Sequence, residues 1–162
     1  MANKKIPHFA FSIQYESIAK ELVSESEIVN PLNNQRKKYK AIWDTGATNT
    51  VITSRILEEL SLTIVDTTTI IGVNSKTENI QVALFNLLLP NNVSIKEVRG
   101  SVCTIGGDAD ILIGMDIIKF GDLAISNGGG QTLFSFAIPP FENKTDLLEK
   151  ANKTNKNNKL TK

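Results

Sequence analysis

The sequence predicts an all-β fold, a barrel or sandwich carrying one or two short helices, and three observations point there. Short runs of alternating or β-branched residues recur along the 162 residues; glycine, proline and asparagine punctuate them; and neither a long crossover helix nor a GxGxxG opening is present. This length suits a single domain with one core. A content of 41% hydrophobic and 22% charged residues fits a soluble globule rather than a disordered or membrane chain.

Apolar residues at two-residue spacing, Phe9, Phe11 and Ile13, predict a first strand with Tyr15 near its end. Ile18, Leu22 and Val23 then follow at helix-like spacing before Pro31 interrupts. KYKAIWD reads as a strand that breaks at Thr45-Gly46-Ala47, and NTVI resumes it. TSRILEEL predicts a short helix with Thr53 as its cap and Glu58 and Glu59 on the wet side. SLTIVDTTTIIGV supplies β-branched residues for a strand leading to a hairpin tip at Gly72 to Lys76. Strands at about 77–89 and 93–98 are expected to join across Pro90-Asn91-Asn92. ADILIG, a helical turn in MDIIKF, GDLAIS, the turn NGGG and QTLFSFAIPP complete the body.

Residues 141–162 differ in character: six lysines face three acids among many asparagines, which leaves 12 basic and 14 acidic residues for 1–140. The expectation is a flexible, solvated tail with one helical turn at Asp146 to Lys153. Residues 1–29 read as an N-terminal extension packed on the domain, and 30–140 as the domain itself.

Several function classes drop out. A formal charge of +1 and 6% aromatics do not suggest a nucleic-acid partner. No run approaches the roughly 20 apolar residues of a membrane span, and the basic opening lacks a sustained apolar region, so no membrane association and a cytoplasmic location are expected. One cysteine, Cys103, and one histidine, His8, allow neither an intrachain disulfide nor a Cys/His zinc site. No cofactor and no metal are expected.

The chemistry concentrates in AIWDTGATNTVI. Asp44 follows residues suited to burial and precedes Thr45 and Gly46, so its carboxylate projects from a tight loop at a strand end, where Gly46 brings a backbone N–H close to it. By itself such an aspartate is more often a turn or capping residue. A second stretch, ADILIGMD, ends a hydrophobic strand at Gly114, a slot through which another segment can pass closely. It too has an ordinary reading, a strand ending at a turn.

Together, Asp44-Thr45-Gly46-Ala47 with Thr48, and Leu112-Ile113-Gly114 about 65 residues later, resemble the retropepsin-like aspartic proteases, particularly their bacterial members. The resemblance covers about 30–140 and implies the single-lobed closed barrel of the acid protease fold. It assigns Asp44 as the catalytic residue, Thr45, Gly46, Ala47 and Thr48 as loop support, with the Thr48 hydroxyl bracing Asp44, and Ile71, Gly72 and Val73 as a flap over substrate. Leu112, Ile113 and Gly114 become the structural second motif. Two departures stand out: Met115 occupies a position where viral members carry an arginine, and the flap holds few glycines.

Catalysis in this family uses two carboxylates sharing a proton. One such motif in a chain of this length therefore implies a homodimer that supplies two Asp44 side chains and cleaves extended peptide or unfolded protein. The alternative is a retropepsin-like dimerisation or peptide-binding module with little or no turnover. Trp43, Phe134 and Phe136 are assigned to packing, and Cys103 to a small core or surface role.

Overall fold

The computed structural model describes residues 6–71 and 76–159. Ten strands run in chain order: β1 Phe9–Gln14, β2 Leu22–Val29, β3 Arg36–Trp43, β4 Val51–Ile52, β5 Thr63–Ile71, β6 Lys76–Leu88, β7 Ser94–Val102, β8 Ile111–Ile113, β9 Asp122–Ser126 and β10 Leu133–Ile138. Among the described residues the α-helices are α1 Ser54–Glu59 and α2 Met115–Ile118 between strands and α3 Leu147–Lys159 after them, with a 3-10 turn at Gly128–Gly130. Seven strands form one sheet in the order β2-β3-β8-β4-β7-β6-β5, and β2 also pairs with β6. That extra pairing, Glu27 to Leu88 through Val29 to Asn86, closes six strands into a barrel and leaves β5 outside the ring. The remaining strands form a second sheet, β1-β10-β9.

Burial follows the strand period of two. In β3, Tyr39, Ala41 and Trp43 point into the core while Arg36, Lys37 and Lys38 stay exposed. The core is apolar and continuous, built from Ile28, Ile52, Phe85, Leu87, Ile111 and Ile113 among others. Phe134 and Phe136 of β10 pack on Trp43 with ring centroids 5.3 and 4.8 Å away, and Phe11 of β1 lies 5.7 Å from it. These rings fasten the three-stranded sheet onto the barrel beside Asp44. All three residues assigned to packing are buried.

The helix-like spacing of Ile18, Leu22 and Val23 does not produce a helix, because residues 22–29 run as β2. Two of its inward positions are filled by buried Ser24 and Ser26, so an apolar count misses the alternation. The serines are tolerable inside because they are satisfied: the Trp43 indole N–H donates to Ser24 Oγ at 2.9 Å, and Ser26 Oγ lies 3.4 Å from Ser24 Oγ. The Tyr15 hydroxyl ties β1 to the start of β2, donating to the Val23 carbonyl at 2.9 Å and accepting from its N–H at 2.7 Å.

β5 and β6 pair from Thr63–Leu84 to Ile71–Lys76, with two register shifts. Of the expected hairpin tip, Gly72 to Lys76, residues 72–75 lie outside the described residues and Lys76 begins β6. Arg99 of β7 reaches Asp66 of β5 at 2.8 Å, across the intervening strand. Thr53 takes the cap position of α1, but its hydroxyl donates to Asp110 Oδ1 at 3.1 Å rather than to a helix N–H. At the tail, α3 is longer than the expected turn. It begins on Asp146, whose Oδ1 accepts from the N–H of Leu148 at 2.8 Å, and its described residues are exposed.

Glu59 gathers the largest electrostatic cluster on α1, accepting from the Tyr39 hydroxyl at 2.8 Å, Lys37 at 3.0 Å and Arg55 at 3.1 Å. Those donors, Lys37 first, lower its carboxyl from 4.5 to about 2. Burial, and then Glu59 itself, push the Tyr39 hydroxyl far above the ordinary phenol range. A depressed folded pKa means stability that is present above the ordinary carboxylate value and lost as the group protonates. Thermal unfolding of wild type and Glu59→Gln is therefore expected to differ by a constant margin above about pH 5. That margin should shrink as pH falls from 4.5 toward 2; one that persists unchanged at pH 2 contradicts the assignment.

Candidate active site

Asp44 is the first residue beyond β3 and is half-buried. β3 runs parallel to β8 with Trp43 opposite Ile113, and the Asp44 N–H extends this ladder by donating to the Ile113 carbonyl at 2.9 Å. The chain then turns at once. Gly46 N–H donates to Asp44 Oδ1 at 2.8 Å, and Ala47 N–H reaches the Asp44 carbonyl at 3.3 Å. This internal bond aims the carboxylate along the loop, and a Cβ on Gly46 would stand 3.2 Å from the same oxygen.

The second motif forms the other wall. Ile113 and Gly114 are buried, Leu112 is half-buried, and β8 pairs on its far side with β4. A Cβ on Gly114 would lie 2.7 Å from the backbone C and O of Asn49 and 3.0 Å from the Ala47 carbonyl oxygen. The Asp44 loop thus passes directly over Gly114, which explains a glycine at this position by space and not by dihedral freedom, since its φ is −95°.

Immediately after Gly114, α2 presents two backbone N–H groups to the loop: Met115 donates to the Ala47 carbonyl at 2.8 Å and Asp116 to the Thr48 carbonyl at 3.0 Å. The two motifs, distant in sequence, are therefore joined along their whole facing length.

Thr45 and Thr48 are exposed, and among the described residues neither hydroxyl is hydrogen-bonded, so Thr48 does not brace Asp44 within the chain. The hydroxyl brace lies two residues further on. Thr50 is fully buried, donates through Oγ1 to Asp116 Oδ1 at 2.8 Å, and accepts from Gly114 N–H at 3.3 Å. Sequence reasoning singles out neither Thr50 nor Asp116. Of the flap residues, Ile71 ends β5 opposite Lys76, whereas Gly72 and Val73 lie outside the described residues. On the approach to β8, Lys40 pairs with Asp108 and holds its carboxyl below the ordinary range. Among the described residues no group of three His, Cys, Asp or Glu side chains is placed to hold a metal ion.

Comparison with known proteins bears on this geometry. The family described as "gag-polyprotein putative aspartyl protease" matches residues 31–119, a span that contains both motifs and the strands between them. The chain belongs to the retropepsin-like aspartic protease family. A comparison with curated proteins finds no match. Among solved structures, the retropepsin-like aspartic protease from Rickettsia conorii superposes with a TM-score of 0.53 at 17% identity. That match covers 83% of this chain and 97% of the other, a likeness of fold. In this retropepsin-like chain the family match begins at Pro31, whereas the superposition takes in more of the chain. No helix among its described residues is long and apolar enough to cross a membrane.

Proposed function

We propose that the chain is an aspartic endopeptidase, active as a homodimer in which each copy contributes Asp44. The observation that carries this reading is the Asp44 carboxylate, held at the β3–β8 junction by a DTGA loop that occurs once in the chain. Two such carboxylates meeting on a two-fold axis cannot both ionise easily, so they share a proton. The ionised one takes a proton from water as the oxygen attacks the peptide carbonyl carbon. The protonated one donates its hydrogen to the carbonyl oxygen. Collapse of the resulting tetrahedral diol breaks the C–N bond as the nitrogen takes a proton from the protonated carboxyl and a diol hydroxyl gives its proton to the other carboxylate, so the pair again holds one proton.

On this reading residues 30–140 carry both motifs of the catalytic domain, β2 from the N-terminal extension completes its barrel, β1 packs on it, and 141–162 are an appended tail. Ile71, Gly72 and Val73 cover an extended peptide bound by main-chain hydrogen bonds. Thr45 faces the partner loop. The setting is cytoplasmic, and the substrate is a peptide or unfolded protein.

Because each copy supplies half of the catalytic pair, specific activity should fall with dilution through the dimer dissociation range, while secondary structure persists. Activity per chain measured against concentration, beside sedimentation of the same samples, checks this. A monomer with undiminished activity removes the mechanism. The second reading, a peptide-binding or dimerisation module with little turnover, is favoured by the flap sequence, which offers Gly72 as its one glycine between Ile71 and Lys76. Dimers that bind peptides and cleave none would establish it.

A further inference from the structure

We propose that Asp116 is a positioning residue for Asp44, acting through Thr50, and this rests on the aspartic endopeptidase reading above. Asp116 grips the Asp44 loop at two points. Its backbone N–H donates to the Thr48 carbonyl, and its carboxylate accepts from the Thr50 hydroxyl two residues on. The same Oδ1 also accepts from Ile117 N–H at 3.1 Å, which fixes the carboxylate against α2.

Thr50 has no alternative once that acceptor is gone. Its side chain is fully buried, and its single hydroxyl proton already points at Asp116, leaving a lone pair for the Gly114 N–H. Removing the Asp116 carboxylate orphans the hydroxyl proton in a buried site, and turning that proton elsewhere disturbs its contact with Gly114. Either adjustment falls on the segment Ala47 to Thr50, which continues directly from the Gly46 N–H that aims the Asp44 carboxylate. Thr50 is also anchored on the barrel, where its carbonyl accepts from Ser101 N–H at 3.1 Å. The brace therefore transmits the position of the barrel wall to the catalytic loop. Asparagine at 116 keeps an acceptor oxygen in the same place, so the role needs the acceptor and not the charge.

The test compares Asp116→Ala, Asp116→Asn and Thr50→Val as verified dimers, well below their unfolding temperatures. Peptide cleavage is measured together with the amide resonance of Gly46. Misplacing a reacting group by about an ångström costs on the order of 100-fold. Asp116→Ala and Thr50→Val are accordingly expected to lower kcat by about that factor with KM little changed. The Gly46 resonance should move in both variants, and Asp116→Asn should restore kcat and the resonance toward wild type. Thr50→Val keeps the proposal open to refutation if Asp116→Ala fails to fold. A wild-type kcat and an unmoved Gly46 resonance in either folded variant overturn the proposal, and so does an Asp116→Asn as impaired as Asp116→Ala. If wild type itself cleaves nothing, the endopeptidase reading fails, while the Gly46 resonance still decides whether Asp116 positions the loop.

Discussion

Asp44→Asn is expected to abolish peptide cleavage while leaving the fold and the dimer intact. The amide is nearly the size of the carboxylate, and its oxygen can still accept from the Gly46 N–H, which lies 2.8 Å from Asp44 Oδ1. The loop therefore keeps its internal bond, and only the ionisable group is lost. General acid–base catalysis contributes about 10²- to 10⁴-fold, and with both carboxylates replaced the whole of it disappears. The measurement is cleavage of a peptide library from acidic to neutral pH at matched dimer content. Wild-type activity should depend on pH through the coupled titration of the pair, with apparent values belonging to the two carboxylates jointly. Persistent cleavage by a contaminant-free Asp44→Asn dimer would remove Asp44 as catalyst.

Gly114→Ala should be the most damaging single-methyl change in the site. The added carbon would meet backbone atoms of Asn49 at 2.7 Å and the Ala47 carbonyl oxygen at 3.0 Å. Backbone cannot rotate out of the way as a side-chain tip can. The loop must lift, breaking some of the bonds from Met115 and Asp116 to the Ala47 and Thr48 carbonyls. Overpacking of this kind costs about 1 to 3 kcal/mol, and the lost hydrogen bonds add about 1 kcal/mol each. Chemical denaturation should show a destabilisation of about 3 kcal/mol or more, a large share of a small domain's total stability. The glycines at 128–130, around which a Cβ meets nothing within 4 Å, supply the comparison for space: Gly128→Ala should change stability little. Equal stability of Gly114→Ala and wild type would mean that the two motifs do not touch as described.

What the sequence discloses is what is contiguous in it. Phe9, Phe11 and Ile13 alternate in one short run, and β1 forms there. DTGAT and DILIGMD each carry their own turn chemistry, so the loop and the strand that face each other are both legible from local residues alone. β2 escapes because its inward positions hold Ser24 and Ser26, whose burial depends on Trp43, a partner on another strand. Thr53 stands at the cap position the sequence predicts, but its hydroxyl goes to Asp110, an acceptor that lies far along the chain and so leaves no local signal. The Thr50–Asp116 brace fails to announce itself for the same reason: a hydroxyl and a carboxylate 66 positions apart carry no periodicity. Closure of the barrel by β2 and β6 is equally silent, since Glu27 and Leu88 look like ordinary strand residues.

The parallel pairing of β3 with β8 also sets an order of events during synthesis. Ala41 meets Ile111, 70 positions later, and the Asp44 N–H waits for the Ile113 carbonyl. Such contacts incur their loop-closure entropy before returning any stabilisation, which makes topologies rich in them slow to fold. On a ribosome adding about 5 to 20 residues each second, the aspartate emerges several seconds before the strand that fixes it. Until then the chain carries Asp44-Thr45-Gly46 without a scaffold, and β3 is left with an unfilled edge open to any neighbouring strand. The nascent protein thus lacks a formed Asp44 loop and is most exposed to mispairing over the same interval, which ends only when residues 111–116 leave the exit tunnel.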